Sequence, residues 1–136
     1  ITADKTVSTG SITLDTSAST VQIGLPYKHK LKTLRITGGN PQGTPLGRLK
    51  RVINVTVVVL NSQTFSLGTS SSDIIDYDFR EVSDPMDVFS PLFTGERKVE
   101  FPGDWATDER LYIESQDAVP FTLLALAPEI EINQTL

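Results

Sequence analysis

Residues 51–60 read Arg51-Val52-Ile53-Asn54-Val55-Thr56-Val57-Val58-Val59-Leu60 and form the longest β-branched run in the chain. Successive side chains of a strand point to opposite faces, so Ile53, Val55, Val57 and Val59 share one apolar face and the other face is mixed. Branching at Cβ favours the pleated backbone over a helix. The run therefore predicts a central strand with one face in a core. The rest of the chain has to supply partner strands and an opposing layer.

Short alternating segments on both sides of this run predict the partner strands. They are 11–15, 20–24, 27–36, 65–67, 73–80, 97–101, 110–116, 121–127 and 129–132. The polar stretch 61–64 is expected to turn the chain so that 65–67 pairs antiparallel with the central strand. Residues 68–72 predict a flexible connector. Pro128 is expected to end segment 121–127, and the alternation resumes at 129–132.

Three stretches between these segments carry no strand pattern. Residues 38–43 contain three glycines and a proline and predict a loop. Thr44 and Pro45 are typical of a helix start and predict one helical turn as far as about Lys50. Residues 81–95 predict an irregular crossing at one end of the fold. Four apolar side chains are expected to anchor that crossing: Val88, Phe89, Leu92 and Phe93.

The pattern as a whole predicts one all-β domain over residues 1–136. Antiparallel pairs are expected to form a β-sandwich or a partly closed barrel, with at most one short helical turn. A chain of 136 residues is long enough to bury a core without staples. The sequence begins in a polar stretch without methionine, so we expect it to be a piece of a longer protein.

Composition limits the chemistry available to the chain. The absence of cysteine excludes disulfides, thiol nucleophiles and cysteine-ligated zinc, and is compatible with assembly in a reducing cytoplasm. Lys+Arg 12 against Asp+Glu 17 argues against a dedicated nucleic-acid binder. No catalytic or nucleotide-binding motif is present, and there is one histidine. We therefore expect no cofactor, no metal, no small-molecule substrate and no enzymatic activity.

Two groups of positive charge are candidate contact sites. The first, on one face of segment 27–36, consists of Lys28, Lys30 and Lys32. Such lysines are a common protection of a sheet edge against aggregation, and the alternative is contact with an acidic surface on a partner. The second, at the start of the central strand, consists of Arg48, Lys50 and Arg51. It fits either a phosphate or subunit contact or a solvated approach to a buried strand.

Asp76 and Asp78 are predicted to lie on one face of segment 73–80, about 7 Å apart. A solvated or ion-paired face is one interpretation, and metal binding or acid-base catalysis is the other. Calcium needs six to eight oxygens, usually from a curled loop, and the spacing does not match that loop. Glycoside hydrolysis needs two carboxylates across a cleft. A polysaccharide depolymerase would need these two acids buried beside such a cleft.

Aromatic residues give an alternative function. Trp105, Tyr27 and Tyr112 could be stacking platforms of a β-sandwich that binds carbohydrate or a cell-surface receptor. The competing interpretation of Trp105, the one tryptophan of the chain, is a side chain that covers the edge of the core. The binding hypothesis requires two of these aromatics to be exposed beside one groove.

Several stretches, taken in order, resemble one family. Thr20-Val21-Gln22-Ile23-Gly24-Leu25-Pro26-Tyr27 looks like the V-x-[VI]-G-L-P-Y segment near the C-terminus of tail-tube (nozzle, or stabilisation) proteins of short-tailed bacteriophages and prophages. The further matches are Leu49-Lys50-Arg51-Val52, Leu92-Phe93-Thr94-Gly95, Phe101-Pro102-Gly103-Asp104-Trp105 and the stretch 110–130. The last of these ends in Thr122-Leu123-Leu124-Ala125-Leu126-Ala127-Pro128-Glu129. The resemblance covers most of the chain from about Ser11.

This resemblance implies a C-terminal domain of a virion structural protein, assembled in the bacterial host cytoplasm and located in the tail. Members of the family form a homo-oligomeric ring, by implication a hexamer, that meets the head-to-tail adaptor and other tail proteins. The tube they form retains packaged DNA and conducts it into the host, without specific DNA binding. Our own hypothesis from charge patterning is that the basic groups contact the acidic pair of a neighbouring subunit. The candidate interface residues are Lys28, Lys30, Lys32, Arg48, Lys50, Arg51, Asp76 and Asp78.

Overall fold

A computed structural model describes residues 4–37 and 46–133, which form seven strands and no helix. The strands are β1 (His29–Lys32), β2 (Lys50–Ser62), β3 (Thr64–Ser70), β4 (Asp73–Asp78), β5 (Phe93–Glu100), β6 (Tyr112–Ser115) and β7 (Leu123–Ile132). Accordingly, no helix in these residues is long and apolar enough to cross a membrane.

The strands form two antiparallel sheets. One has four strands in the order β1-β6-β3-β4, and the other has three in the order β5-β2-β7. Every strand pair is antiparallel. Apolar side chains from both sheets share one core, and neither sheet closes into a barrel. The all-β prediction is confirmed, and the sandwich is the form that the chain adopts.

The predicted central strand is confirmed as β2, but a bulge changes which side chains it buries. Across the pair with β7, Val52 lies opposite Ile130 and Asn54 lies opposite Glu129. One extra residue, Ile53, therefore has no partner, and the alternation shifts by one position. Val52 is fully buried, whereas Ile53, predicted to face the core, is 39% exposed. Beyond the bulge the core face follows the prediction, with three buried valines: Val55, Val57 and Val59.

The predicted hairpin between β2 and β3 is wrong. β3 pairs with β4 and β6 in the other sheet, and β2 pairs with β5 and β7. Asn61 has a φ of 46°, which asparagine tolerates better than β-branched residues. Its backbone N–H donates to Thr94 Oγ1 at 2.9 Å. The pairing of β2 with β5 is irregular at this point, between Val59 and Ser62, and beyond it the chain passes from one sheet to the other instead of folding back on itself.

The flexible connector expected at 68–72 is instead a tight hairpin. β3 continues to Ser70, and the two residues 71 and 72 join it to β4. Thr69 Oγ1 donates to Asp73 Oδ2 at 2.6 Å across the turn. A register shift lies between Gly68 and Ser70, so the glycine allows close approach of the two backbones and is not a sign of flexibility.

The core is built around aromatic and branched aliphatic side chains. Phe65 is 2% exposed and lies 5.4 Å from the rings of Tyr77 and Phe79 and 5.7 Å from that of Phe121. Phe79 stacks in turn on the ring of Phe93 at 4.7 Å. The buried members of the cluster are Val52, Val55, Val57, Val59, Phe65, Leu67, Phe79, Val99, Phe101, Leu111 and Ile113.

The irregular crossing is present, although three of its four expected anchors are wrong. Val88, Phe89 and Leu92 are exposed, and Phe93 belongs to β5. Polar contacts to backbone oxygens hold this segment instead. The guanidinium of Arg80 donates to the carbonyls of Pro85 and Val88, and the amide of Gln63 donates to that of Ser90 at 2.7 Å.

The two short strands expected near the N-terminus do not form. Segment 11–15 contributes one isolated bridge, Ser8 to Ser11, and segment 20–24 contributes none. Residues 13–28, which we call the N-terminal arm, are exposed throughout. Their alternation is that of a strand, but a strand needs a neighbour for its backbone hydrogen bonds, and none of the described strands pairs with the arm.

The remaining local predictions concern residues 38–50 and Pro128. The loop 38–43 and the helix start at Thr44 and Pro45 lie outside the described residues. The described part of the predicted helical turn, 46–50, forms a turn that runs directly into β2.

Pro128 does not interrupt the final strand, because β7 continues through it to Ile132 at the edge of the three-stranded sheet. An edge position tolerates proline, since one side of the strand needs no donor.

Candidate functional site

The candidate lysines and aspartates lie on the same face of the four-stranded sheet, at its two opposite edges. Pairing places Lys30 opposite Glu114, Glu114 opposite Ser66, and Ser66 opposite Asp76. Asp78 lies two residues further along β4, opposite Thr64, and therefore shares this face. β1 and β4 are three strand spacings apart, about 14 Å, so the two edges cannot form ion pairs within one copy.

The opposite face of the same sheet points into the core and carries an apolar row. Leu31 lies opposite Ile113, Ile113 opposite Leu67, and Leu67 opposite Ile75. Ile113 and Leu67 in the middle of the row are buried, whereas Leu31 is 45% and Ile75 is 42% exposed. The apolar row is thus covered in its centre and open at both edges of the sheet.

The charged residues of this face differ in the ion pairs and hydrogen bonds that they already form within one copy. Lys28 Nζ lies 3.2 Å from Glu114 Oε1, and Asp76 Oδ1 accepts a hydrogen bond from Ser66 Oγ at 2.6 Å. Asp78 Oδ1 accepts the backbone N–H of Arg80 at 2.8 Å. In the described part of the chain, Lys30 forms no ion pair. Each aspartate has a second carboxylate oxygen for a further donor.

The second basic group does not remain together. Lys50 is fully buried, and its Nζ has no hydrogen-bond partner among the described residues. Arg51 points to the other face of β2, where its Nε donates to the carbonyl of Gly103 at 3.2 Å. Arg48 lies before the strand and is partly exposed. Because burial removes Lys50 from the surface, we do not include it in a subunit contact.

Glu114 is the buried centre of the charged face. It is 2% exposed, and its Oε2 accepts a hydrogen bond from the hydroxyl of Tyr112 at 2.6 Å. This hydrogen bond and the nearby Lys28 ammonium lower the pKa of the Glu114 carboxyl, although burial alone would raise it. The ionised form is therefore the one that the fold stabilises.

We expect Glu114→Gln to reduce the loss of stability at acidic pH. A depressed folded-state pKa stabilises the fold above the unfolded value, 4.5, and this stabilisation is lost as pH falls below that value through the folded pKa. Urea unfolding over that pH range measures the effect. Glu131→Gln, at an exposed glutamate of β7, is the control. Equal pH dependence for the parent chain and Glu114→Gln would show that Glu114 contributes nothing.

A surface pocket of about 330 Å³ lies at one end of the four-stranded sheet. Its lining combines the end of β1, the β3–β4 hairpin and the turn 102–110. The lining residues are Lys32, Thr69, Asp73, Pro102, Asp104, Ala106, Asp108, Glu109 and Arg110. Of the candidate residues predicted from sequence, Lys32 alone lines this pocket, and Asp76 and Asp78 are exposed elsewhere on β4.

The acids of the pocket are mostly engaged in local contacts. Asp108 lies 3.0 Å from Arg110 and 3.4 Å from Arg35, and the Arg110 hydrogen bond lowers its pKa. Asp73 accepts from Thr69, and Asp104 accepts the N–H of Trp105 at 2.7 Å. No group of three or more histidine, aspartate or glutamate side chains in the described ranges could hold a metal ion.

Glu109 is the exception in this pocket. It is 4% exposed, its Oε1 has no hydrogen-bond partner within residues 4–37 and 46–133, and burial raises the pKa of its carboxyl. The charge of Lys50 acts in the opposite direction and lowers that pKa. Sequence analysis missed this residue because Asp108-Glu109-Arg110 reads as a solvated charged run. The turn that carries it is held beside β2 by the pairing of Ala106 with Lys50, a contact between distant segments.

The candidate aromatic residues lie outside the surface pocket. Tyr112 is buried and donates its hydroxyl to Glu114. Trp105 and Tyr27 are both exposed, and Tyr27 lies 4.0 Å from the ring of His29. None of the three lines the pocket. The arrangement required for carbohydrate stacking is therefore not found at this pocket.

Comparison with known proteins gives no family assignment. No protein-family model matches the sequence, and no curated protein matches it.

Proposed function

We propose that this chain is a non-catalytic structural domain of a phage or prophage virion, part of the tail tube or nozzle. In this role it assembles with copies of itself and with the head-to-tail adaptor, and the assembled tube retains packaged DNA and conducts it into the host. The ordered resemblance described above supplies the family. The exposed N-terminal arm is the structural observation that supports an assembly role.

The arm carries apolar side chains that its own chain leaves uncovered. Leu25 is 89%, Ile23 77% and Tyr27 64% exposed, and Val21 is 47% exposed. These four residues alternate along one strand-like stretch, which also contains the GLPY motif of the resemblance. Several large apolar side chains exposed within one short segment are typical of a contact site. An arm without a partner strand, rich in apolar side chains, fits a segment that packs against a neighbouring subunit.

We expect Leu25→Asp to leave the fold intact and to block incorporation of the protein into particles. The side chain makes little contact within the chain, so the free energy of unfolding should change by less than about 0.5 kcal/mol. A buried charge in an apolar contact between subunits is costly. Thermal unfolding of residues 1–136 measures the first effect. Quantitative mass spectrometry of purified particles, produced from a genome carrying the variant in the complete gene, measures the second.

Ser17→Asp supplies the matched control, since it adds the same charge at an exposed polar position of the same arm. Particles lacking the protein should package DNA and then lose it, which nuclease sensitivity of the packaged genome detects. Immunogold labelling with an antibody against residues 1–136 should mark the tail. Absence of the protein from purified particles would overturn the proposed function.

A further inference from the structure

We propose that the four-stranded sheet continues from one copy of this chain to the next, with β4 of one copy paired antiparallel to β1 of its neighbour. This inference rests on the proposed assembly role and specifies the surface and register of the contact. The partner is a second copy, because the two surfaces that complement each other are opposite edges of the same sheet.

Strand direction permits this pairing. β1 is antiparallel to β6, β6 to β3 and β3 to β4, so β1 and β4 run in opposite directions. A rotation about an axis parallel to the strands places a second copy beside the first and keeps the strand directions. The second copy's β1 then runs antiparallel to the first copy's β4. The contact is head to tail, since each copy uses a different edge. Repetition of such a contact gives a ring when the rotation closes.

One register satisfies both faces of the joined sheet. Straight continuation of the observed rows places Asp76 opposite the neighbouring copy's Lys30, and Asp78 opposite its Lys28. On the core-facing side, Ile75 meets the neighbouring copy's Leu31, so the two half-exposed ends of the apolar row cover each other. Opposite charges and apolar pairs directly across antiparallel strands are both stabilising.

Other registers are less favourable. A shift by one residue turns every charged side chain of one strand to the wrong face. A shift by two residues in one direction leaves a single ion pair, Asp76 with the neighbouring copy's Lys28. In the other direction it retains two pairs but places Arg80 opposite Lys28, and like charges directly opposite are destabilising. Charge therefore selects the unshifted register.

Cysteine crosslinking tests the register directly, because the chain has no cysteine of its own. Four single variants of residues 1–136 are sufficient: Lys30→Cys, Leu31→Cys, Ile75→Cys and Asp76→Cys. Under mild oxidation, mixtures of Lys30→Cys with Asp76→Cys and of Leu31→Cys with Ile75→Cys should give disulfide-linked heterodimers. A size tag on one partner distinguishes them from homodimers on a non-reducing gel.

The same four proteins in crossed combination provide the control. Lys30→Cys with Ile75→Cys and Leu31→Cys with Asp76→Cys place the thiols on opposite faces of the joined sheet. Their Cβ vectors then point apart, so we expect about tenfold less heterodimer than in the matched mixtures. Unchanged circular dichroism and melting temperature establish that each variant is folded.

Equal yields from matched and crossed mixtures, or no crosslink in either, would overturn the proposed edge pairing. Predominant homodimers of Lys30→Cys would show that β1 pairs with β1, which also contradicts it. These results are separate from the particle experiment. A protein that labels virion tails but gives no register-specific crosslink retains its assembly role and loses this contact.

Discussion

Phe65→Ala is expected to destabilise the chain by about 3–5 kcal/mol, the range for removal of a buried aromatic ring. Phe65 is 2% exposed and lies at the centre of an aromatic cluster, because its ring lies within 6 Å of three other rings: Tyr77, Phe79 and Phe121. Those rings come from β4, from the residue after it and from the segment before β7. The cavity left by the substitution cannot close without moving all three.

Urea unfolding followed by intrinsic fluorescence measures this loss. Phe89→Ala is the matched control, because it removes the same ring from a position that is 56% exposed. We expect the control to change the free energy of unfolding by less than about 1 kcal/mol. Similar losses for the two variants would show that Phe65 is not a centre of the core.

Local sequence pattern located the segments that form the two sheets, and within β2 it failed where one residue breaks the alternation. The β-branched run of β2 has no competing helical pattern, so its identity followed from the residues alone. The bulge at Ile53 did not, because an unpaired residue depends on what the neighbouring strand offers. The same limit applies to β3, which follows β2 in sequence and lies in the other sheet.

The alternation of 20–24 shows that a strand pattern is necessary but not sufficient for a strand. Val21 and Ile23 alternate with polar residues as β-strand residues do, but none of the described strands pairs with them. Backbone groups without a partner strand stay solvated, and the apolar side chains stay exposed. In our proposal, the missing partner belongs to another subunit.

Charge patterning found the candidate residues, and sheet order supplied their geometry. Lys30 and Asp76 were predictable as members of charged faces, because alternation alone places them there. Their position at opposite edges of one sheet depends on β6 and β3 lying between them. Burial of Lys50 was unpredictable for the same reason, since it requires the pairing with Ala106 from a distant turn.

Gly68→Ala is expected to cost at least about 3 kcal/mol, more than most insertions of a single methyl group. A Cβ built at this position would lie 1.9 Å from the carbonyl oxygen of Asp73 and 2.8 Å from Ile74 Cα. Both neighbours are backbone atoms of β4, so no side-chain rotation relieves the clash. The β3–β4 hairpin has to separate, and this also disturbs the edge that carries Asp76.

Gly10→Ala separates this steric cost from the cost of an unfavourable φ. Gly10 has a φ of 79° and no atom within 4 Å of an added Cβ, so its substitution introduces backbone strain alone, about 1–2 kcal/mol. Thermal and urea unfolding of the two variants, measured beside the parent chain, give the difference. A loss for Gly68→Ala no larger than for Gly10→Ala would mean that the hairpin backbones are further apart than described. Gly68→Ala can also be combined with the crosslink between Leu31→Cys and Ile75→Cys. If it abolishes this crosslink while thermal unfolding remains cooperative, the hairpin geometry positions the edge that meets the next subunit.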